Sequence, residues 1–419
     1  MTSPQSISAP SVGSAQFDLP SRVALVGEGF AGFIDYLLPD ARAEFLGVPN
    51  EYVSTLLSTA YLPDETADAV NLASRRTSGL ARRQFEQAVE QGIESVSDPL
   101  PEVTAFFETV DRMPPQIDMA KVEAGARALR RIDPVTLFGA GWTIGFILAA
   151  ILPNTSSALF RSKRTLNNPG NRLVETGAYV LESYTPGGYE RFGPATKTAC
   201  RLRLMHSNLR MGMVKSGTWD AENIGVPASI GDTIGGALPH TLWTALAAQG
   251  AGYRFSDEEM EAIAHFTACA IFRHGAPQEM IPFTPAEQRL FTYASLRVSS
   301  AFSDVEATSR LIPAMTSIEL PFMPAAMQPI AKGLFNGYTR LIIGDELCDA
   351  TGVPDSKYRR AITLGGRIIA ASEVARRTLP PVAWANEQVA NLLWDRWMPR
   401  LFKMPEDTHA HLEKLASAA

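Results

Sequence analysis

Nineteen consecutive residues without a charge, 135–153 (VTLFGAGWTIGFILAAILP), set the first constraint on this chain. A run of that length is long enough to cross a bilayer. Outside a membrane it has to be buried, because a helix that is apolar all round has no face for water. Gly139, Gly141 and Gly145 dilute the run, and no second clear span occurs. The run is therefore read as a central helix buried in a large helical core. Its glycines have a use there, since they let a flat or apolar ligand approach the backbone closely.

The rest of the sequence reads as helices separated by proline and glycine. Helical periods are expected at 23–38, 40–46, 50–61, 64–71, 79–94, 102–110 and 119–131. Met113-Pro-Pro-Gln-Ile-Asp118 is an extended connection, because a residue before proline avoids the helical region. Residues 154–170 read as a loop with a small basic cluster, Arg161, Lys163 and Arg164. Helices follow at 172–184, 194–213 and 233–249. Ser256-Asp-Glu-Glu259 and Thr284 with Glu287 are capping-box patterns that open two more, to about 272 and 301. Residues 313–329 are broken by prolines, and 331–347, 357–379 and 384–401 complete the pattern. No repeat, sustained heptad or train of alternating strands is present. The expected fold class is all-α, one large helical domain over 21–405. A disordered tail is expected at 1–20 and a frayed one at 406–419.

Composition narrows the function classes. A net charge of −6 argues against a general nucleic-acid binder. Cys200, Cys269 and Cys348 are far apart, and no CxxC or Cys/His cluster suggests zinc. Residues 1–20 lack an apolar run, a basic stretch and a twin arginine, so a cytoplasmic protein is expected. Gly27-Glu-Gly29-Phe-Ala-Gly32 matches a dinucleotide fingerprint but has no train of strands behind it. His240, His265 and His274 are candidates for a second ligand but are read first as structural, and His409 and His411 as exposed in the tail.

The candidate site lies on the helix expected at 194–213. Arg203, His206 and Arg210 fall there at i, i+3 and i+7, on one face with Ala199, Leu202 and Leu209. Two guanidiniums on an apolar face cost roughly several kcal/mol unless anions pair with them. Their charge also keeps the imidazole neutral, the form that ligates a metal. A lone histidine on such a face is more often a hydrogen-bonded core residue, and a basic helix more often pairs with acids. A haem satisfies both features together: iron for His206, and propionates or nearby carboxylates for the arginines.

Thirty residues earlier stands Arg172-Leu-Val-Glu175-Thr176. Arg-Leu-x-x-Thr followed by Arg203-x-x-His206-x-x-x-Arg210 resembles the signature of the latex-clearing rubber oxygenases. Their domain is shared with the fungal MpaB-type oxygenases. Weaker similarity runs over about 60–355, through LPEVTAFFETVDRMPP and through Arg340, Gly344, Gly352 and Pro354. The resemblance implies heme b bound by His206, with Arg203 and Arg210 flanking it and Arg172 and Thr176 near the distal side. It also implies a globin-like to bundle-like core, with 135–153 lining the haem pocket. Rubber-cleaving members carry a lysine where this chain has Glu175. Their distal glutamate falls near Ser156 and Ser157 here. The distal site is therefore expected to be open or water-bound, with Glu175 as a replacement base, and polyisoprene is not the expected substrate. Asp232 is expected to cap its own helix rather than pair with an arginine.

The expected function is a haem b-dependent oxygenase that oxidises or cleaves an apolar olefinic, isoprenoid- or lipid-like substrate with O2. His206 ligates iron; Arg172, Glu175 and Thr176 are the catalytic candidates. The expected partners are that small substrate and O2, with no nucleic acid and no membrane. The alternative is a non-catalytic haem-binding or apolar-ligand-binding helical protein, in which Arg203, His206 and Arg210 hold internal acids.

Overall fold

A computed structural model describes residues 49–141, 143–151, 153–162, 164–299, 305–320 and 323–398. The expectations for 23–38, 40–46, the glycine motif at 27–32 and the two tails lie outside the described residues.

The described residues form helices and no strand. The longer ones are α1 (Asn50–Thr59), α2 (Glu65–Arg76), α3 (Leu80–Gln91), α4 (Pro101–Asp111), α5 (Met119–Arg130), α6 (Pro153–Arg161), α7 (Pro169–Tyr184), α8 (Pro194–Lys215) and α9 (Ile230–Ala237). They continue with α10 (Leu242–Gly250), α11 (Asp257–Arg273), α12 (Pro285–Ser299), α13 (Val305–Thr316), α14 (Gln328–Ile343), α15 (Asp345–Thr351), α16 (Arg359–Thr378) and α17 (Pro380–Leu392). The chain is all-α, as its patterning predicts.

Local chemistry explains most boundaries. Pro101, Pro169 and Pro194 sit in first turns, where their missing N–H costs nothing. The Asp64 carboxylate caps α2 by accepting from Ala67 N at 3.1 Å, and Asp118 caps α5. Ser256 with Glu259 forms a reciprocal capping box on α11, and Thr284 with Glu287 does so on α12. Arg340 folds the α14–α15 corner back on itself, donating to the Val353 carbonyl at 2.5 Å and to Asp349 at 2.6 Å. The central crossing is α5 on α11. A Cβ at Gly125 would lie 2.4 Å from the Ala262 carbonyl oxygen, so only glycine allows these backbones to meet so closely.

Three stretches differ from the pattern. Residues 154–170 are largely helical, α6 and a short turn Arg164–Asn167, not a loop. The described side chains of the uncharged run are buried or half-buried, except Val135, which is exposed, and the run is not one helix. After a short turn at Pro134–Thr136 it widens into two π-helical turns, Leu137–Gly141 and Thr143–Ile147, before Leu148–Ile151. Such wide turns are rare and occur mostly at functional sites. The apolar stretch 233–249 breaks at Pro239 into α9, a 3₁₀ turn Leu238–His240, and α10. Among the described residues no helix is long and apolar enough to cross a membrane. The three cysteines are buried and unpaired.

Candidate active site

Helix α8 is fastened along one side to α2 by a buried polar seam. Asp64, Asp68, Asn71 and Arg75 recur along α2 at helical spacing. Arg203 donates to Asp64 through Nε at 2.6 Å and Nη2 at 3.0 Å. Its guanidinium also stacks on the Phe106 ring, 4.2 Å from the centroid. Arg210 reaches Asp68 at 2.5 Å and the Ala228 carbonyl at 2.7 Å. Between these clamps, Asn71 Nδ2 donates to the Leu204 carbonyl at 2.9 Å and to Ser207 Oγ at 2.8 Å. Burial pushes the Asp64 carboxyl up, but the Arg203 guanidinium and the capping N–H outweigh it and hold Asp64 below the usual range. The anions that the two arginines need are thus carboxylates of this chain.

His206 lies between the clamps. Among the described residues nothing hydrogen-bonds its ring, which keeps part of its surface open. Burial first, then His274, Arg172 and Arg210, push it down to about 3, so it is neutral. Two further neutral imidazoles stand nearby. His274, pushed down to about 4 by burial, donates from Nδ1 to the Ala270 carbonyl at 2.8 Å. His240 lies 6.2 Å from His274, ring to ring, and both contact the Tyr179 ring edge-on, at 5.4 and 5.3 Å. Among the described residues no group of three or more His, Cys, Asp or Glu is gathered as a metal site. His265 accepts from Asp118 N at 3.2 Å.

A cavity with about 1610 Å³ of empty space, counting solvent at its mouth, opens beside this cluster. Leu137, Ile144, Phe146, Leu159, Val180 and Trp243 supply apolar wall. Gly141 and Gly145 of the wide turns line it, whereas Gly139 faces Tyr338. From α7 come Arg172, Thr176, Gly177, Val180 and Leu181. Arg172 Nη1 donates to Thr176 Oγ1 at 3.0 Å, and that hydroxyl donates back to the Arg172 carbonyl at 3.1 Å. Glu175 is not among the described lining residues. At about 100° per residue it is turned roughly 150° from the centre of the lining face. It lies 3.9 Å from Arg172 Nη1 instead, so the expected distal carboxylate becomes a neighbour of the arginine. Ser156 and Ser157 are fully buried. Asp232 closes a capping box with Ser229, as expected, and burial raises it to about 6.

The cavity has open space beside α9. Gly235 and Gly236 on α9 line it, and a Cβ built at either would meet nothing within 4 Å. The glycines leave an open cradle where side chains would intrude.

A family model described as "ER-bound oxygenase mpaB/B'/Rubber oxygenase, catalytic domain" matches residues 130–377. The chain belongs to this family. No curated protein matches this chain. Among solved structures it is similar to latex clearing protein LCP in the closed state. The two share 18% identity and a TM-score of 0.60, over 81% of this chain and 91% of that one. At that identity the likeness concerns the fold, an all-helical one. The match places an oxygenase-type catalytic domain over α6 to α16 and leaves α2, with Asp64 and Asp68, ahead of it.

Sequence reasoning named Arg172, Thr176, Arg203, His206 and Arg210 but not their partners. The acids of α2 carried a signal, a polar stripe running beside the buried Ala67, Val70 and Ala73. His240 carried one too, directly after the proline that breaks its helix.

Proposed function

We propose that this domain is a haem b-dependent oxygenase acting with O2 on an apolar, olefinic small molecule. The observation that carries the reading is a neutral imidazole without a described hydrogen bond, His206, in a chain of this family that also holds a mostly apolar cavity with Gly235 and Gly236 in its wall; His206 itself is not among the described lining residues. His206 would hold the iron through a ring nitrogen. A bound haem supplies the activation of O2. The chain's own residues do the rest. The apolar wall binds and orients the substrate and excludes water. Arg172 and Thr176 place the polar groups of α7 on the cavity, and the Arg172–Thr176 bond fixes the direction of the hydroxyl. Glu175, beside Arg172, acts as a positioning residue for the guanidinium. Arg203 and Arg210 hold α8 in place through Asp64 and Asp68.

The test is reconstitution with haem b. His206→Ala should leave a folded protein that has lost most of its Soret absorbance, and steady O2 consumption with an alkene should require His206. Full haem occupancy after that substitution would refute the assignment. Haem binding without substrate-dependent O2 uptake would favour a carrier or sensor.

A further inference from the structure

Helices α16 and α17 pack on one another as a hairpin joined at Leu379. Their inner sides are fixed to the core. A Cβ at Gly252 would lie 2.2 Å from the Gly366 carbonyl oxygen, so α16 meets that turn backbone to backbone. Glu373 is buried and accepts from Arg131 Nη1 at 3.2 Å. Trp394, just beyond α17, donates to the Arg130 carbonyl at 2.6 Å. The outer sides are apolar. On α16, Leu364, Ile368 and Ala371 fall at i, i+4 and i+7 and form one exposed stripe. On α17, Trp384, Val389 and Leu392 are exposed, and the helix carries a single charge, Glu387. Ile368 and Trp384 are each 65% exposed. Large apolar side chains scattered singly on a surface mean little, but a run of them on two neighbouring helices marks an interaction face.

Arginines edge this face. Arg360 and Arg367, seven residues apart, run along one side of the stripe, and Arg377 stands in the last turn of α16. All three are exposed, and none makes an ion pair among the described residues. Helix α16 carries five arginines against one glutamate in a chain whose net charge is −6, so the positive excess is local. An apolar stripe with arginine beside it and tryptophan on the adjoining helix is the pattern of a surface that lies in a lipid–water interface. A second copy of the chain fits worse. A two-fold contact through this face would bring the same arginines together from both sides, with Glu387 the only exposed acid on these two helices to meet them. We propose that α16 and α17 form a peripheral docking face for a bilayer with anionic headgroups. Leu364, Ile368 and Trp384 enter the acyl boundary, and Arg360, Arg367 and Arg377 meet the phosphates and carboxylates above it. This stands against the sequence expectation of no membrane. It needs no span, and among the described residues no helix is long and apolar enough to be one. The face is independent of the haem reading, but an apolar olefin gathers in bilayers, so docking would carry the cavity to such a substrate.

The experiment needs neither haem nor substrate. The full chain is sedimented with phosphatidylcholine vesicles prepared with and without phosphatidylserine. The protein should follow the phosphatidylserine vesicles, be released from them by added salt, and shift its tryptophan emission to shorter wavelength on binding. Ile368→Ser/Trp384→Ser should lose most of the binding while its circular dichroism and Tm stay unchanged, because both side chains are exposed. Arg360→Gln, Arg367→Gln and Arg377→Gln should each weaken binding to the anionic vesicles by about fivefold. Trp384→Phe should keep the binding and lose much of the emission shift. A full chain that stays in the supernatant with phosphatidylserine vesicles overturns the proposal, whether a second copy or other residues of the chain cover the face; light scattering tells those two apart by mass. Binding that survives in Ile368→Ser/Trp384→Ser, or that is equally strong on neutral vesicles, also overturns it.

Discussion

Arg203 is a residue whose worth depends on its partner. Its guanidinium is buried, and it is neutralised by Asp64, which is itself buried. Replacing it by Leu strands that carboxylate. Arg203→Leu should therefore lose about 3–5 kcal/mol in urea unfolding, whereas the double variant Asp64→Leu/Arg203→Leu should recover most of the loss. Arg203→Lys should recover only part, because an ammonium cannot reproduce the two-pronged contact with Asp64. Glu175 makes the opposite case. It sits beside Arg172 and off the lining face, so Glu175→Gln should slow turnover on an accepted alkene by less than about tenfold. A loss of about 10²-fold or more, the scale of a missing general base, would put the carboxylate in the cavity after all.

Helix α7 carries the cavity face and, at its far end, an ill-placed acid. Glu182 is pushed by burial up to about 7, and its Oε2 has no partner among the described residues. The folded-state value is raised for an acid, so the folded protein holds the proton longer than the unfolded chain does. Stability is then fully present below the unfolded value near 4.5 and is lost as pH rises towards 7. Glu182→Gln cannot titrate. Its advantage in thermal unfolding over the wild type should be small at pH 4, grow to about 2–3 kcal/mol by pH 7.5, and then level off. An advantage that does not vary with pH would mean that Glu182 is solvated. Helices of this kind were readable before the structure, because their ends are written in caps and prolines: Pro169, Pro194, Ser256, Thr284. The wide turns at 137–147 were not. A π-turn keeps the same apolar composition as an α-helix and differs only in which carbonyl each N–H finds. The break at Pro239 was visible as a residue but was overridden by the apolar run around it. Residues 154–170 looked like a loop because Asn, Ser and Thr favour caps and turns, yet Thr155 and Leu159 on α6 are tied into the cavity wall.

At the scale of the molecule, α2 and α8 are partners 139 residues apart in sequence at Arg203 and Asp64. Spacing on one helix finds a face; it does not find the helix opposite. That is why Arg203, His206 and Arg210 were legible as a group while Asp64 and Asp68 were not. The same separation bears on what can fold alone. The family match begins at residue 130, after the acids that neutralise α8. A fragment of residues 112–398 would bury two arginines without their aspartates. At about 3–5 kcal/mol for each broken pair, against a total stability of about 5–15 kcal/mol, this fragment should not unfold cooperatively. Circular dichroism against temperature would show it. A sharp transition matching that of the full chain would mean that α1–α4 are dispensable.

The two clamps on α8 have a mechanical consequence. They grip the helix above and below His206, both turned roughly 40–60° round the axis from the imidazole. Gripped at two heights, the helix can neither slide nor roll. The side-chain tips of an α-helix lie about 5–6 Å from its axis, so a roll of about 10° would swing the imidazole sideways by about 1 Å. A misplacement of that size is enough to cost an active site about 10²-fold. The salt bridges of α2 thus act as a keyway, setting the angle at which a histidine they never touch is presented.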